Sequence, residues 1–215
     1  MLKSTKSFLL KAVAGVIVVA TAVAGCDRYL DRPLALWVKG AFYGNRTWAH
    51  YTGDLPDLLL MVVLLTTAVT LPLYLIRVRK GIFDKTTRLD KLLAWSAPVS
   101  YLVKSVLKPI FGRANTRFWL KHPESYGFHW FSLHSGYDGF PSGHMIVMVT
   151  MLAAVCRFYP RLRAATLLVV LLMGGALVGT NFHYLSDVIA GIFLGLLTEA
   201  LMFRALFTGE RDGAA

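Results

Sequence analysis

Residues 141–158 read Pro-Ser-Gly-His-Met-Ile-Val-Met-Val-Thr-Met-Leu-Ala-Ala-Val-Cys-Arg-Phe. Pro141-Ser142-Gly143-His144 marks a loop-to-helix junction at the head of an apolar run. Ser142 suits the N-cap position of the helix that follows, and Gly143 lets that backbone approach a neighbour closely. A histidine at the head of a membrane helix is costly unless it serves a purpose. A second one, His183, heads the next apolar run but one, and Asp187 follows it by four residues.

The same kind of apolar run recurs along the chain. The 215 residues are 56% hydrophobic, well above an ordinary soluble domain, and stretches near twenty residues can each cross a bilayer as a helix. Six spans are expected, at about 8–25, 57–76, 92–107, 143–159, 164–181 and 184–207. The third and fourth are short enough that their ends fall in the headgroup zone. The fold class is therefore all-α, an integral membrane bundle of about six transmembrane helices forming a single domain over 1–215.

Basic residues fix the expected orientation. One side collects fourteen: Lys3, Lys6, Lys11, Arg77, Arg79, Lys80, Lys85, Arg88, Lys91, Arg157, Arg161, Arg163, Arg204 and Arg211. The other side has eight: Arg28, Arg32, Lys39, Arg46, Lys108, Arg113, Arg117 and Lys121. The richer side is cytoplasmic by the positive-inside rule. Both termini then lie inside, and His144, His183 and the 108–121 segment face outward, toward the periplasm or cell exterior of a bacterial cytoplasmic membrane. The net charge of +11 is accounted for by these flanks, so nucleic acid is not an expected partner. The partner these flanks and spans imply is the bilayer.

The outer loops are aromatic. Trp37, Trp48, Trp119 and Trp130 fall there, and Phe111, Phe118, Tyr126, Phe128, Phe131, Tyr137 and Phe140 crowd the approach to Pro141. Such rings favour the membrane interface, either as a plain anchoring belt or as a rim that lets a lipid headgroup reach a site. Residues 1–26 read as a retained first span, with cleavage before Cys26 as the alternative, since Val23-Ala24-Gly25-Cys26 resembles a lipoprotein processing box. Cys156 reads as a small buried hydrophobe, and two cysteines carry no disulfide framework or paired metal spacing.

Three segments carry chemistry. His183 and Asp187 share one helical face, one turn apart. A carboxylate against one ring nitrogen fixes the tautomer, leaves the other nitrogen as nucleophile and stabilises the cation formed when it is loaded. An interfacial histidine with a satisfied partner is the plainer reading of the pair alone. A metal site is short of ligands. The second segment is Ser142-Gly143-His144, where the free N–H groups of a helix's first turn favour an anion and His144 can give a proton to a departing oxygen. The third is the run from Lys108 through Arg113 to Arg117, whose cations suit phosphate. They also stand on the side where the orientation rule wants few. Together these parts suit phosphoryl transfer from a monoester or diphosphate. His183 attacks phosphorus, His144 protonates the leaving oxygen, and basic side chains neutralise the charge that builds. No cofactor and no metal are required.

This constellation, over roughly 108–191, resembles the type 2 phosphatidic acid phosphatase superfamily, which also contains the vanadium-dependent haloperoxidases. The family's three motifs are Lys with Arg-Pro seven residues on, then Pro-Ser-Gly-His, then Ser-Arg, five residues, His, three residues and Asp. The second is intact at Pro141–His144, and the third keeps its last two members at His183 and Asp187. The resemblance implies His183 as nucleophile, Asp187 as its partner and His144 as acid, with Lys108, Ser142 and Gly143 against phosphate. Two positions depart. Asn115 and Thr116 stand where Arg-Pro is expected, which makes Arg113 the expected first-motif arginine and Arg117 its substitute. Leu177 stands where the third-motif arginine is expected, with Arg117, Thr180 or Asn181 to compensate. The implied function is a membrane lipid phosphatase acting through a phosphohistidine. Undecaprenyl diphosphate, phosphatidate and phosphatidylglycerol phosphate are candidate substrates, and lipid A phosphates are also possible. A lipid-to-lipid phosphotransferase and a non-catalytic lipid-phosphate binder or transporter are the alternatives.

Overall fold

The structure is a computed structural model. It describes residues 2–42 and 55–207, with side chains described for 6–42 and 59–207. Arg46, Trp48 and Arg211, and the side chain of Lys3, lie outside the described residues.

Among the described residues eight α-helices follow in order: α1 Leu2–Tyr29, α2 Asp31–Phe42, α3 Leu55–Arg79, α4 Lys85–Phe111, α5 Thr116–Lys121, α6 Gly143–Phe158, α7 Arg163–Gly179 and α8 Leu185–Phe207. The six long ones overlap the six expected spans in order, α6, α7 and α8 each stopping or starting one or two residues inside them. Four stretches, Lys6–Tyr29, Leu59–Arg79, Pro160–Gly179 and Leu185–Phe207, are long and apolar enough to cross a membrane. At 1.5 Å per residue, the 16 residues of α6 reach about 24 Å, short of a hydrocarbon core of about 30 Å. The third span begins earlier than expected, at Lys85, because Asp84 caps it by accepting the Thr87 N–H at 2.8 Å. The amphipathic α2, which buries Asp31, Ala35 and Val38 and exposes Leu36 and Trp37, was not anticipated.

The distribution of polarity is inverted relative to a soluble bundle. Leu10, Val18, Leu64 and Leu172 point outward and are more than half exposed, as lipid-facing residues must be. Asp31, Lys104, Arg113, Ser142, His183 and Asp187 are buried. With lipid tails as apolar as leucine, close backbone approach and interhelical hydrogen bonds hold such helices together. α6 and α8 use both. Gly191 and Gly195 lie one turn apart on the face of α8 that meets α6, where a Cβ would come within 2.7 Å of Met145 and 2.8 Å of the Ile146 carbonyl, respectively. The Thr150 hydroxyl donates to the Ile146 carbonyl at 2.7 Å and lies 3.0 Å from the Gly195 carbonyl.

One end of the bundle is closed by Thr86 against Tyr159 at 2.9 Å, by Lys91 Nζ donating to the Leu206 carbonyl at 3.1 Å and by Arg157 on Glu199 at 2.7 Å. The other end gathers the C-termini of α1 and α4 and the N-termini of α6 and α8. Because overpacking costs roughly 1–3 kcal/mol, Gly195→Val is expected to lower the thermal midpoint of the detergent-purified chain by several degrees. Gly175→Ala, where a Cβ meets nothing within 4 Å, is expected to leave it unchanged or raise it.

Candidate active site

Gly112 ends α4. Its φ of 52° lies in the left-handed region, and its N–H returns to the Lys108 carbonyl at 2.8 Å. A Cβ there would fall 1.9 Å from the His129 carbonyl oxygen, so only glycine fits both the turn and the neighbour. The chain then runs beside the 126–139 loop. Arg113 pairs with Phe128 in an isolated antiparallel bridge, Asn115 N–H donates to the Gly136 carbonyl at 2.8 Å, and Gly139 N–H donates to the Arg113 carbonyl at 2.9 Å. Asn115 caps α5 by accepting the Phe118 N–H at 2.8 Å. These short-range contacts decide where the two arginines of the segment go.

Arg113 turns inward and is fully buried. Its Nη1 meets Asp187 Oδ1 at 2.6 Å and Ser186 Oγ at 2.6 Å, and its Nη2 meets Asp27 Oδ1 at 2.6 Å and Asp31 Oδ2 at 2.8 Å. Asp31 also bonds the Ser186 hydroxyl and accepts the Ser186 N–H. The Tyr126 hydroxyl donates to the Asp27 carbonyl at 2.8 Å and sits 2.9 Å from its carboxylate. Burial pushes the Tyr126 phenol up to about 12, so it stays a donor. Burial alone would lower the Arg113 pKa, but Asp187, Asp31 and Asp27 outweigh it and raise the value.

Beside this network lies a hollow of about 70 Å³, lined by Lys104, Lys108, Asn115, Arg117, Asp138, Gly143, His144 and His183, with Leu59 and Phe182 at its apolar wall. The His144 and His183 rings are 6.1 Å apart between centroids, and Phe182 packs edge-on against both. His183 is buried, and neither ring nitrogen has a hydrogen-bond partner. Its Nδ1 stands 3.5 Å from Asp187 Oδ2, longer than the hydrogen bond the sequence led us to expect. That oxygen instead accepts the Tyr184 N–H at 2.9 Å. Ser142 takes the N-cap position of α6 with no cap bond from its side chain, and its Oγ is buried without a partner.

Of the residues expected at the site, His144, His183, Lys108, Arg117 and Gly143 converge on the hollow. Ser142 and Asp187 stand directly behind it, since the Ser142 N–H donates to the Asp187 carbonyl at 3.1 Å. Arg113 does not line it. The structure places Arg113 away from the phosphate position expected of it, with three carboxylates on its two Nη nitrogens. Arg117 lines the hollow instead. Its guanidinium lies 5.0 Å over the Phe182 ring and donates to the Thr180 carbonyl at 3.1 Å. Asn181 turns away and donates to the Ala35 carbonyl at 3.1 Å. Leu177 is buried in an apolar cluster with Met145, Val149 and Val188, and its carbonyl accepts the N–H groups of Phe182 and His183 at 2.9 and 3.1 Å.

Sequence reasoning missed Lys104 and Asp138. Lys104 lies inside the third span and was assigned to neither side, although its four-residue spacing from Lys108 puts both on one helical face. Asp138 carries no local signal. Its carboxylate meets Lys108 Nζ at 3.5 Å and accepts from Asn115 Nδ2 at 2.9 Å. Among the described residues no group of three or more His, Cys, Asp or Glu is arranged to hold a metal ion.

Fold and site thus define a helical membrane protein with a small cationic hollow holding two histidines at one end of the bundle. The chain belongs to the PAP2 superfamily, whose family model matches residues 91–211. It is similar to the lipid A 1-phosphatase of Rhizobium johnstonii, 35% identical over 130 residues, covering 56% of this chain and 52% of that protein. It is also similar to the lipid A 1-phosphatase of Rhizobium etli, 36% identical over 123 residues, covering 53% and 51%. The chain therefore spans about half the length of these curated relatives. A transmembrane PAP2-type phosphatidylglycerolphosphate phosphatase structure from Bacillus subtilis aligns over 95% of this chain and 98% of its own, with a TM-score of 0.45 and 19% identity.

Breaking a buried ion pair by removing one partner costs about 3–5 kcal/mol. Arg113→Ala is therefore expected to unfold the purified protein well below the wild-type temperature, read by tryptophan fluorescence. Arg117→Ala is expected to leave the midpoint within a few degrees.

Proposed function

We propose that this chain is a membrane lipid phosphatase that removes phosphate from a phosphorylated lipid by way of a phosphohistidine. The observation that carries the reading is His183. It is a buried imidazole with both nitrogens unpartnered, it lines a hollow with Lys104, Lys108, Arg117 and His144, and it is backed by Asp187. A buried polar group without a partner is expensive, and a tetrahedral oxyanion in the hollow would supply one.

In the first step a His183 nitrogen bonds to phosphorus as the bond from phosphorus to the lipid oxygen breaks. The nitrogen remote from Asp187, Nε2, is the attacking atom, and His144 gives its proton to the departing oxygen. In the second, water attacks the phosphorus, His144 takes a proton from it, and the nitrogen–phosphorus bond breaks to release phosphate. Lys104, Lys108 and Arg117 neutralise the phosphoryl oxygens, and the first-turn N–H groups of α6 add partial positive charge. Asp187 steadies the imidazole from behind. Arg117 takes over the task of the arginine absent at Leu177, which favours turnover over a purely binding role.

The two relatives' names support a lipid A phosphate as the substrate class. The bias of basic residues supports a site on the outer face of a bacterial cytoplasmic membrane. The exposed Trp130, Phe131 and Leu133 in the loop beside the site suit a rim in contact with lipid.

The test is phosphate release from lipid A and from simpler phospholipid monoesters by the detergent-purified chain. Activity is expected to survive a chelator and to vanish in His183→Ala. Arg117→Ala is expected to lose roughly 10²–10³-fold in kcat/KM, as removal of one preorganised charge-stabilising group does. Full activity in His183→Ala overturns the mechanism, and binding without turnover in the wild type overturns the function.

A further inference from the structure

The hollow contains a group that a pure anion trap would lack. Asp138 brings a carboxylate into a space whose other charged side chains, the histidines aside, are the cations Lys104, Lys108 and Arg117. It is held there from two sides, by Lys108 Nζ at 3.5 Å and by Asn115 Nδ2 at 2.9 Å. Asn115 is itself fixed, because its Oδ1 caps α5. The carboxylate is therefore a positioned part of the hollow, although more than half of its side chain is open to the outside. It also stays ionised. Burial raises its pKa, but Lys108 and the Asn115 hydrogen bond outweigh it, and the net shift is downward.

A phosphoryl oxygen and a carboxylate oxygen compete for the same donor. Asp138 offsets part of the positive potential that Lys108 presents to a phosphate, and the two anions repel each other across a hollow of about 70 Å³. The effect falls unequally on substrate and product. A lipid substrate is also held by its apolar tails in the bilayer, whereas released phosphate has only the ionic grip of the site. Opposing that grip speeds departure, the step that limits many enzymes.

We propose that Asp138 is a counter-charge built into the phosphate hollow, one that competes with bound phosphate for Lys108 and promotes release of the product. This rests on the phosphate reading of the hollow given above. It predicts a specificity role as well: anions that need the undivided charge of Lys108 bind less tightly than the cation count suggests.

The experiment is titration calorimetry of the full chain in detergent with inorganic phosphate and with orthovanadate, run beside phosphate inhibition of lipid hydrolysis. Asp138→Asn keeps the shape and the Asn115 contact but removes the charge. It is expected to bind phosphate roughly tenfold more tightly at low salt and to be inhibited by correspondingly less phosphate. Asp138→Glu keeps the charge and is expected to remain near wild type. Equal or weaker phosphate binding in a folded Asp138→Asn protein, checked by its thermal midpoint, overturns the proposal. The binding arm separates the two readings. A wild type that binds phosphate but hydrolyses no lipid sinks the catalytic function and leaves Asp138 fully tested. A wild type and an Asp138→Asn protein that both fail to bind phosphate overturn the counter-charge together with the phosphate hollow.

Discussion

Arg113 carries a fixed positive charge to a place shielded from solvent, and the site-bearing end of the bundle is assembled around it. Three aspartates from distant parts of the chain end on its guanidinium: Asp27 from α1, Asp31 from the start of α2 and Asp187 from α8. Such a cluster is favourable only if nearly every lone pair finds a donor. Here Ser186, Tyr184 and Tyr126 supply the remaining ones, and the Tyr184 and Phe128 rings cover the guanidinium at 4.6 and 5.0 Å. Asp187 joins this cluster to the hollow. One oxygen is locked to Arg113, and the other, which accepts the Tyr184 N–H, stands 3.5 Å from His183 Nδ1. An arginine fork suits this task, because it can hold carboxylates on separate nitrogens in a fixed plane.

The helices were legible because a membrane span writes its signature locally, as an unbroken apolar run. The meeting of His144 and His183 was legible too, since each heads a run on the same expected side. The division of labour between Arg113 and Arg117 was not. The two arginines stand four residues apart in one basic loop, and nothing local distinguishes them. The difference lies in Asp27 and Asp31, more than eighty residues upstream, and in the left-handed turn at Gly112 that sends Arg113 inward. Lys104 was hidden for another reason. A lysine within an apolar span looks like a flaw in the span, yet its burial beside Gly143, where a Cβ would come within 2.7 Å of the Lys104 chain, marks it as part of the site. For α2 a usable signal did exist, in an acidic residue at its start and in Ala35 and Val38, which follow it at helical spacing. The shortness of the helix, against the longer apolar runs around it, obscures that signal.

The two departures from the family's pattern have one physical explanation. Leu177 sits in an apolar cluster, and its backbone carbonyl, not its side chain, shapes the turn that presents His183. An arginine there would have to leave hydrocarbon to reach the hollow. The arginine that does line the hollow is Arg117, which lies over Phe182 and is tied to the Thr180 carbonyl. What aims Arg117 is α5, and what starts α5 is the Asn115 cap. The position that has no arginine of its own thus supports the one that arrives from elsewhere, and the same amide holds Asp138 against Lys108. An arginine at 115 has no acceptor with which to cap α5, and it would hold Asp138 through a full positive charge in place of a neutral amide. On this argument Asn115, Arg117 and Asp138 form one coupled unit: restoring the usual arginine at 115 without changing the other two would unseat α5 and tie the new charge to Asp138, and would not return the hollow to the family's usual form.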